Sequence, residues 1–369
     1  MTNKLISFYL PQFHPIQENS QWWGPGFTEW TNVASSFARY PGHHQPQLPA
    51  DLGFYDLRLA ETRDAQARLA ARYGIFGFCY YHYWFNGRML LERPFNEVLS
   101  SGEPDFPFCL CWANENWTRA WDGLDRQILI QQQYASEDSR QHIEWLIRAF
   151  YDVRYIKINN CPLLLIYRFD QIPNLENLIE CWRGETKAAG LSDLYLCAVK
   201  TGFVQKTDEE ILNLGFDGVV DFQPNRFDFP PARGIRSRLF RCARQVLSEA
   251  IYQRIKLSVS ANNIVDYRGM VEGIMSKKWP SHYRKFPCVF PSWDNSARRK
   301  SATIIQNDDP SIYGRWLKKS IDNVQTYPDS EKIVFINAWN EWAEGCHLEP
   351  DLKYGHKFLQ ETYAALNLK

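Results

Sequence analysis

The stretch "FINAWNEWAEGCHLEPD" (335–351) begins as an apolar strand and becomes a polar, aromatic turn carrying Glu341 and Glu344 three residues apart. Two carboxyls close together suit cleavage of a glycosidic bond. One, protonated, serves the leaving oxygen; the other works ionised, and in retaining enzymes the two usually lie ~5–5.5 Å apart. Like-charge proximity and burial among aromatic rings would raise one pKa, as an acid catalyst requires. A Glu pair in an ordinary loop is simply solvated. Trp339, Trp342 and the strand-end position weigh against that here. Glu29, Glu115, Asp122 and Asp294 compete for the same roles, so composition alone leaves the pair open.

The residues able to do chemistry gather where apolar strands end. The first strand leads to Gln12 and then Glu29 and Trp30; the second to His82 and Trp84. The third leads to "CWANENWTRAWDG", with Asn114, Glu115, Trp117, Arg119 and Asp122. The fourth ends at Tyr167 and Arg168, the sixth at Asp221 and Gln223, the seventh at Trp293, Asp294 and Asn295. The last delivers Trp339, Asn340, Glu341 and Glu344. Ten of the 14 tryptophans (22, 23, 30, 84, 112, 117, 121, 293, 339 and 342) fall in these segments. Flat apolar rings among amides, acids and His suit a sugar, whose C–H face stacks while its hydroxyls hydrogen-bond; about half of the rings are expected to touch ligand.

The elements that must position these residues are short buried strands at 5–12, 74–84, 106–114, 162–168, 194–200, 218–224, 287–295 and 332–339. Helical periodicities lie near 56–73, 137–150, 174–189, 207–214, 311–325 and 357–366, with Asp51 and Asp56 ahead of the first and Gly190 closing another. This alternation predicts a (β/α)8 TIM barrel over 1–369, whose strand C-termini share one mouth. An open doubly wound sheet is disfavoured, because "YLPQFHP" stands where a Gly-rich phosphate loop would follow the first strand. Between strands 6 and 7 the stretch 226–285 reads as an insertion. Its first part, to Lys256, is basic, with Leu239, Ala243, Val246, Leu247, Ala250 and Ile251 at helical spacing. A solvated basic face is the favoured reading, a dock for membrane or acidic polymer the lesser one.

Composition narrows the function classes. With 42 basic and 42 acidic residues there is no net field to recruit nucleic acid. No apolar run reaches the ~20 residues that span a bilayer, and Pro11 and His14 interrupt the N-terminal one, so no signal peptide is expected. Cys79, Cys109, Cys161 and Cys197 sit in apolar runs, as reduced thiols of a cytoplasmic protein would. No ligand spacing for a metal stands out, no G-x-S-x-G elbow is present, and no cofactor is implied. His14, His43 and His44 read as surface or capping residues.

The motifs "YLPQFHPIQENSQWWGPGFTEWTNV", "HHQPQLPADLGFYDLR", "GFCYYHYWFNGRMLLERP", "CLCWANENWTRAWDG" and "NAWNEWAEGCHLEPD", in this order over nearly the whole chain, resemble the WbsX-like proteins, which carry a domain similar to glycoside hydrolase family 99. The resemblance implies a (β/α)8 barrel acting on α-linked sugars, with net retention. Family 99 hydrolases are endo-α-mannosidases with an E-x-x-E motif, matched by Glu341 and Glu344. Carried over, Glu341 would be a base on the sugar 2-hydroxyl, giving a 1,2-anhydro intermediate, and Glu344 the acid/base. "YLPQFHP" and "WANENW" belong to the WbsX-like branch, which commonly accompanies O-antigen and capsule synthesis. The implied partner is an oligo- or polysaccharide, with peripheral contact to membrane or glycan-assembly enzymes. Three readings stand: a hydrolase of surface polysaccharide, a glycosyltransferase or transglycosidase of O-antigen and lipopolysaccharide biosynthesis, and a non-catalytic glycan-binding barrel. The chain shows no D-x-D or nucleotide-sugar signature.

Overall fold

Eight strands rich in β-branched and aromatic residues pair in parallel into a closed barrel. The computed structural model describes residues 3–119, 124–230 and 262–367. The strands are β1 (Lys4–Tyr9), β2 (Ile75–Phe85), β3 (Phe108–Trp112), β4 (Cys161–Ile166), β5 (Tyr195–Val199), β6 (Gly218–Asp221), β7 (Lys285–Val289) and β8 (Ile333–Ile336). Each pairs with its neighbours in chain order, and β1 pairs with both β2 and β8, closing the ring. This is the (β/α)8 barrel expected from the alternation of elements. With both faces of the sheet covered, the strands are nearly uniformly buried.

Helices follow the strands: α1 (Gln17–Trp23), α2 (Glu29–Ser35) and α3 (Ala60–Arg72) after β1, then α4 (Arg93–Ser101), α5 (Ser136–Phe150), α6 (Leu175–Ala188), α7 (Asp208–Leu212), α8 (Tyr267–Met275), α9 (Pro310–Asn323) and α10 (Lys357–Asn367). Local chemistry sets their ends. Thr207 and Glu210 form a reciprocal capping box on α7, and Asp309 caps α9, with Pro310 in its first turn. Asp56 does not cap α3, which starts four residues later. Its carboxylate is taken by the guanidinium and backbone N–H of Arg58.

Aromatic tiers fill the barrel. Phe8 packs against Tyr81, Phe222 and Phe335 at centroid distances of 5.5, 5.3 and 5.6 Å, and Tyr167 meets Tyr81 and Phe222 edge-on. The interior is therefore a packed stack whose upper tier, Tyr81, Tyr167 and Phe222, forms the floor of the mouth. Between β6 and β7, Asn263–Asp266 pairs in parallel with Thr303–Gln306, which also meets Trp293–Asp294. The apolar face expected over 239–251 lies outside the described residues. Cys79, Cys109, Cys111, Cys197, Cys288 and Cys346 are buried free thiols. His14 is buried, not a surface residue, and burial lowers its pKa to about 4. No helix among the described residues is long and apolar enough to cross a membrane.

Candidate active site

A cavity of about 510 Å³ opens at the C-terminal ends of the strands, where barrels of this class place their chemistry. Its floor is the aromatic tier, and Trp22, Trp23, Trp117 and Trp293 stand in its wall. Gln12, Glu115, Tyr167, Arg168, Asn337, Glu341 and Glu344 also line it.

The turn after β8 is held from several sides. Asn340 clamps the end of β1 with both amide atoms: Oδ1 accepts from Leu10 N (2.8 Å) and Nδ2 donates to Leu10 O (3.0 Å). Trp342 to Glu344 forms one turn of 3-10 helix, closed by Gly345 at φ +56°. A Cβ there would stand 2.8 Å from Gln47 Nε2 and 3.1 Å from the Asp294 backbone, so the position requires glycine. Trp342 stacks on His347 at 3.7 Å, and its indole N–H donates to Glu349 (2.7 Å). The side chain between the two glutamates is thus anchored below, leaving both carboxylates to face the cavity.

Both carboxylates converge on a residue that sequence reasoning did not single out. The Arg298 guanidinium pairs with Glu341 through Nη2, with Glu344 through Nη1 (3.3 Å) and with Glu29 through Nε (3.2 Å). Burial disfavours the arginine's charge, but Glu29, Glu341 and Glu344 outweigh it and push its pKa up. Burial raises the pKa of both Glu341 and Glu344. Arg298 opposes this at each, Glu344 and Glu29 add to it at Glu341, and Arg299 further opposes it at Glu344. Glu341 is the deeper of the two, with a side chain 9% exposed against 20% for Glu344. Arg39 fixes the loop bearing Arg298 by donating to Ser296 O, Arg299 O and Lys300 O.

Other lining residues fall into pairs. Gln12 Nε2 donates to the Tyr83 hydroxyl (2.8 Å), which lies in the field of Glu341 and Arg298. Arg168 bridges Glu115 (2.8 Å) and Asp170 (2.9 Å). Trp117 packs edge-on against Tyr83 at 5.3 Å.

Several residues expected at the mouth are placed elsewhere by packing. His82 and Trp84 face outward into the helical layer. His82 meets His142 (2.9 Å) and stacks on Trp145, while the Trp84 indole donates to Asp138 (2.8 Å). Their strand neighbours Tyr81 and Tyr83 take the cavity face, as alternation along a strand demands. Trp30 is buried under the turn, donating to Tyr55 O and packing 5.6 Å from Trp342. Trp339 is buried against Phe78. Asn114 is buried and binds both Arg168 N and Arg168 O, a brace between β3 and β4. Asn340 is the clamp described above. Glu29 reaches the site through Arg298, and Asp294 faces a neighbouring cavity, bound by His43 and Gln45 at 2.7 Å each. Asp122 and Trp121 lie outside the described residues. Among the described residues, no group of three or more His, Cys, Asp or Glu side chains could hold a metal ion.

Fold and site together define a (β/α)8 barrel with an aromatic-walled, carboxylate-bearing mouth. The chain belongs to the family described as glycosyltransferase WbsX, whose model matches residues 5–362. It is 39% identical over 364 residues to WxcX, an uncharacterized protein of two Xanthomonas campestris pv. campestris strains. That alignment covers 98% of this chain but 49% of the relative, so the chain spans about half the length of these relatives. In structure it is similar to the GH99 endo-alpha-mannosidase of Bacteroides thetaiotaomicron, with a TM-score of 0.56 at 13% identity over 99% of this chain and 96% of that one. A glycoside hydrolase-like protein matches with a TM-score of 0.58 at 12% identity, over 100% and 95% of the two chains. At such identities these likenesses establish the fold.

Proposed function

We propose that the protein cleaves α-linked sugars of a bacterial surface polysaccharide of O-antigen or capsule type, with net retention. One observation carries this reading: Glu341 and Glu344 meet on a single guanidinium inside an aromatic-walled cavity large enough for a sugar. Tyr81, Tyr167 and Phe222 offer ring faces below, and Gln12, Asn337 and Tyr83 offer hydrogen-bonding groups at the sides. Glu341, deeper and paired with Arg298, acts as the base that draws the proton from the 2-hydroxyl. That oxygen attacks the anomeric carbon, and the bond to the leaving oxygen breaks. Glu344, the more exposed, delivers its proton to the leaving oxygen. It then takes one from the water that attacks the anomeric carbon, while Glu341 returns its proton to the 2-oxygen as the 1,2-anhydro ring opens. Burial favours the protonated form of both glutamates, so the roles are divided by exposure and by the Arg298 Nη2 contact that opposes the shift at Glu341.

The test is incubation with α-linked O-antigen and capsule polysaccharides, with the anomeric configuration of the first-formed product followed by NMR. Retention, and its disappearance in Glu344→Gln, is the expected result. Cleavage by Glu344→Gln at the wild-type rate, or turnover of a 2-deoxy substrate, would exclude the assigned chemistry.

A second reading follows from the family's description as a glycosyltransferase: the same mouth would pass the sugar to an acceptor hydroxyl instead of water. Binding of UDP-, GDP- or dTDP-sugars by calorimetry would favour it. The absence of a Gly-rich phosphate loop after β1 makes the hydrolytic reading the stronger.

A further inference from the structure

A second cavity, of about 390 Å³, lies on the far side of Trp293, and that ring lines both. Its walls come from the loops after β1, β7 and β8, so it opens on the same end of the barrel as the first. Its polar groups are held in place. Arg39 N donates to His43 Nδ1 (3.0 Å), which leaves the proton of this ring on Nε2, aimed at Asp294 Oδ2 (2.7 Å). Gln45 donates to the same oxygen (2.7 Å). Tyr40 stacks on His43 at 4.7 Å with planes 12° apart. Lys353 pairs with Asp308 (2.9 Å) and sits over the Tyr354 ring at 4.4 Å.

The Asp308–Lys353 pair is charge-balanced, and Asp294 Oδ2 is satisfied by two donors, so no carboxylate there is left without a partner. What remains in the lining are the rings of Tyr40, Trp293 and Tyr354 among amide, imidazole and carboxylate groups. That is the chemistry which takes a neutral sugar. The wall between the cavities also bears on the catalytic turn. Ser292 Oγ donates to Gly345 O (2.7 Å), and the Gln47 amide meets His347 Nε2 at 3.0 Å.

Resting on the glycan reading above, we infer that the second cavity is a distal sugar-binding site for the same chain, which crosses Trp293 to reach it. The substrate class is then an extended polysaccharide engaged over several residues. Binding of the distal sugars is intramolecular once the first cavity is filled, so affinity grows with chain length.

The experiment measures affinity in the Glu344→Gln background by calorimetry. The probes are size-fractionated oligosaccharides released from bacterial O-antigen by mild acid. The ratio of affinities, long over short, is expected to be about tenfold or more, equivalent to about 1.4 kcal/mol. In Tyr40→Ala and in Lys353→Ala it falls to less than about threefold. Both side chains line the second cavity, and Lys353→Ala keeps the test alive should Tyr40→Ala unfold. Binding that is independent of length, or a ratio untouched by both substitutions, overturns this inference alone. Failure of oligosaccharides of every length to bind the parent protein sinks the glycan reading with it.

Discussion

The ends of β2 and β8 carry similar-looking sequences, "YYHYWF" and "NAWNEWAE", and the barrel uses them in opposite ways. At β2 the strand runs on to Phe85, so its residues keep strict alternation: Tyr81 and Tyr83 face the cavity, His82 and Trp84 the helices. At β8 regular pairing stops at Ile336 and a short turn follows, which frees Glu341 and Glu344 from alternation. Both can then face the same way. A continued strand offers only every second residue to the mouth, whereas a turn braced by Asn340, Trp342 and Gly345 can offer a pair three apart.

Substitutions at the two ends should therefore separate activity from stability. Glu344→Gln or Glu341→Gln is expected to lower turnover by about 10²–10⁴-fold, the usual worth of a positioned acid or base, while the thermal midpoint is kept. Trp84→Ala should leave the mouth chemistry in place and cost about 3–5 kcal/mol of stability, read by urea denaturation, because it empties a packed site and strands Asp138. The reverse pattern would break the contrast. Arg298 joins both worlds. Arg298→Met leaves the buried Glu29 and Glu341 without their cation, weakens the hold on the half-buried Glu344, and should cost about 3–5 kcal/mol at pH 7. The loss should shrink at pH 5, where Glu341 and Glu344, both raised by burial, take up protons more readily.

The barrel was legible because each strand is an apolar run buried on both faces, long enough to stand out from the helices. Helix α4, only nine residues long, is not set apart by the sequence, although Pro94 opens it and Gly102, at φ +76°, closes it. Helix α8 was hidden by Gly269 and Gly273, which lower its intrinsic propensity. Near the site, Glu341 and Glu344 were marked by spacing and by aromatic neighbours. Arg298 was not, since within "SARRKS" it looks like any solvated basic run. Only the fold brings Glu29, 269 residues away, to its Nε. The choice of His82 and Trp84 over Tyr81 and Tyr83 has a related cause. When every residue of a strand is aromatic, composition carries no trace of which face is which.

The sealed groups behind the two ends give a finer contrast, in opposite pH slopes. Glu349 is buried under the β8 turn with three neutral donors, Tyr55 (2.8 Å), Gln66 (2.7 Å) and Trp342 (2.7 Å). Burial lifts its pKa from 4.5 to about 7, against the pull of these donors. A raised folded-state value means stability is fully present below pH 4.5 and is lost as pH rises through 7, by about 3 kcal/mol. Glu349→Gln should flatten that slope in denaturation curves taken from pH 5 to 8.

Behind β2 the sign reverses. Burial lowers His82 to about 3 and, with repulsion from His82, holds His142 well below its ordinary value. Their 2.9 Å contact needs one ring to donate and the other to accept, which two protonated rings cannot do, and burial disfavours the charge on either. Its contribution is present above pH 6.5 and is lost as pH falls toward 3, with about 2 kcal/mol gone by pH 5 for His82 alone. His82→Phe keeps the ring stacked on Trp145 and removes that titration. It should therefore lose stability relative to the parent at pH 7, where His142 is left unpartnered, and regain part of the difference at pH 5. An unchanged difference between the two pH values would mean that the pair titrates normally and is not sealed.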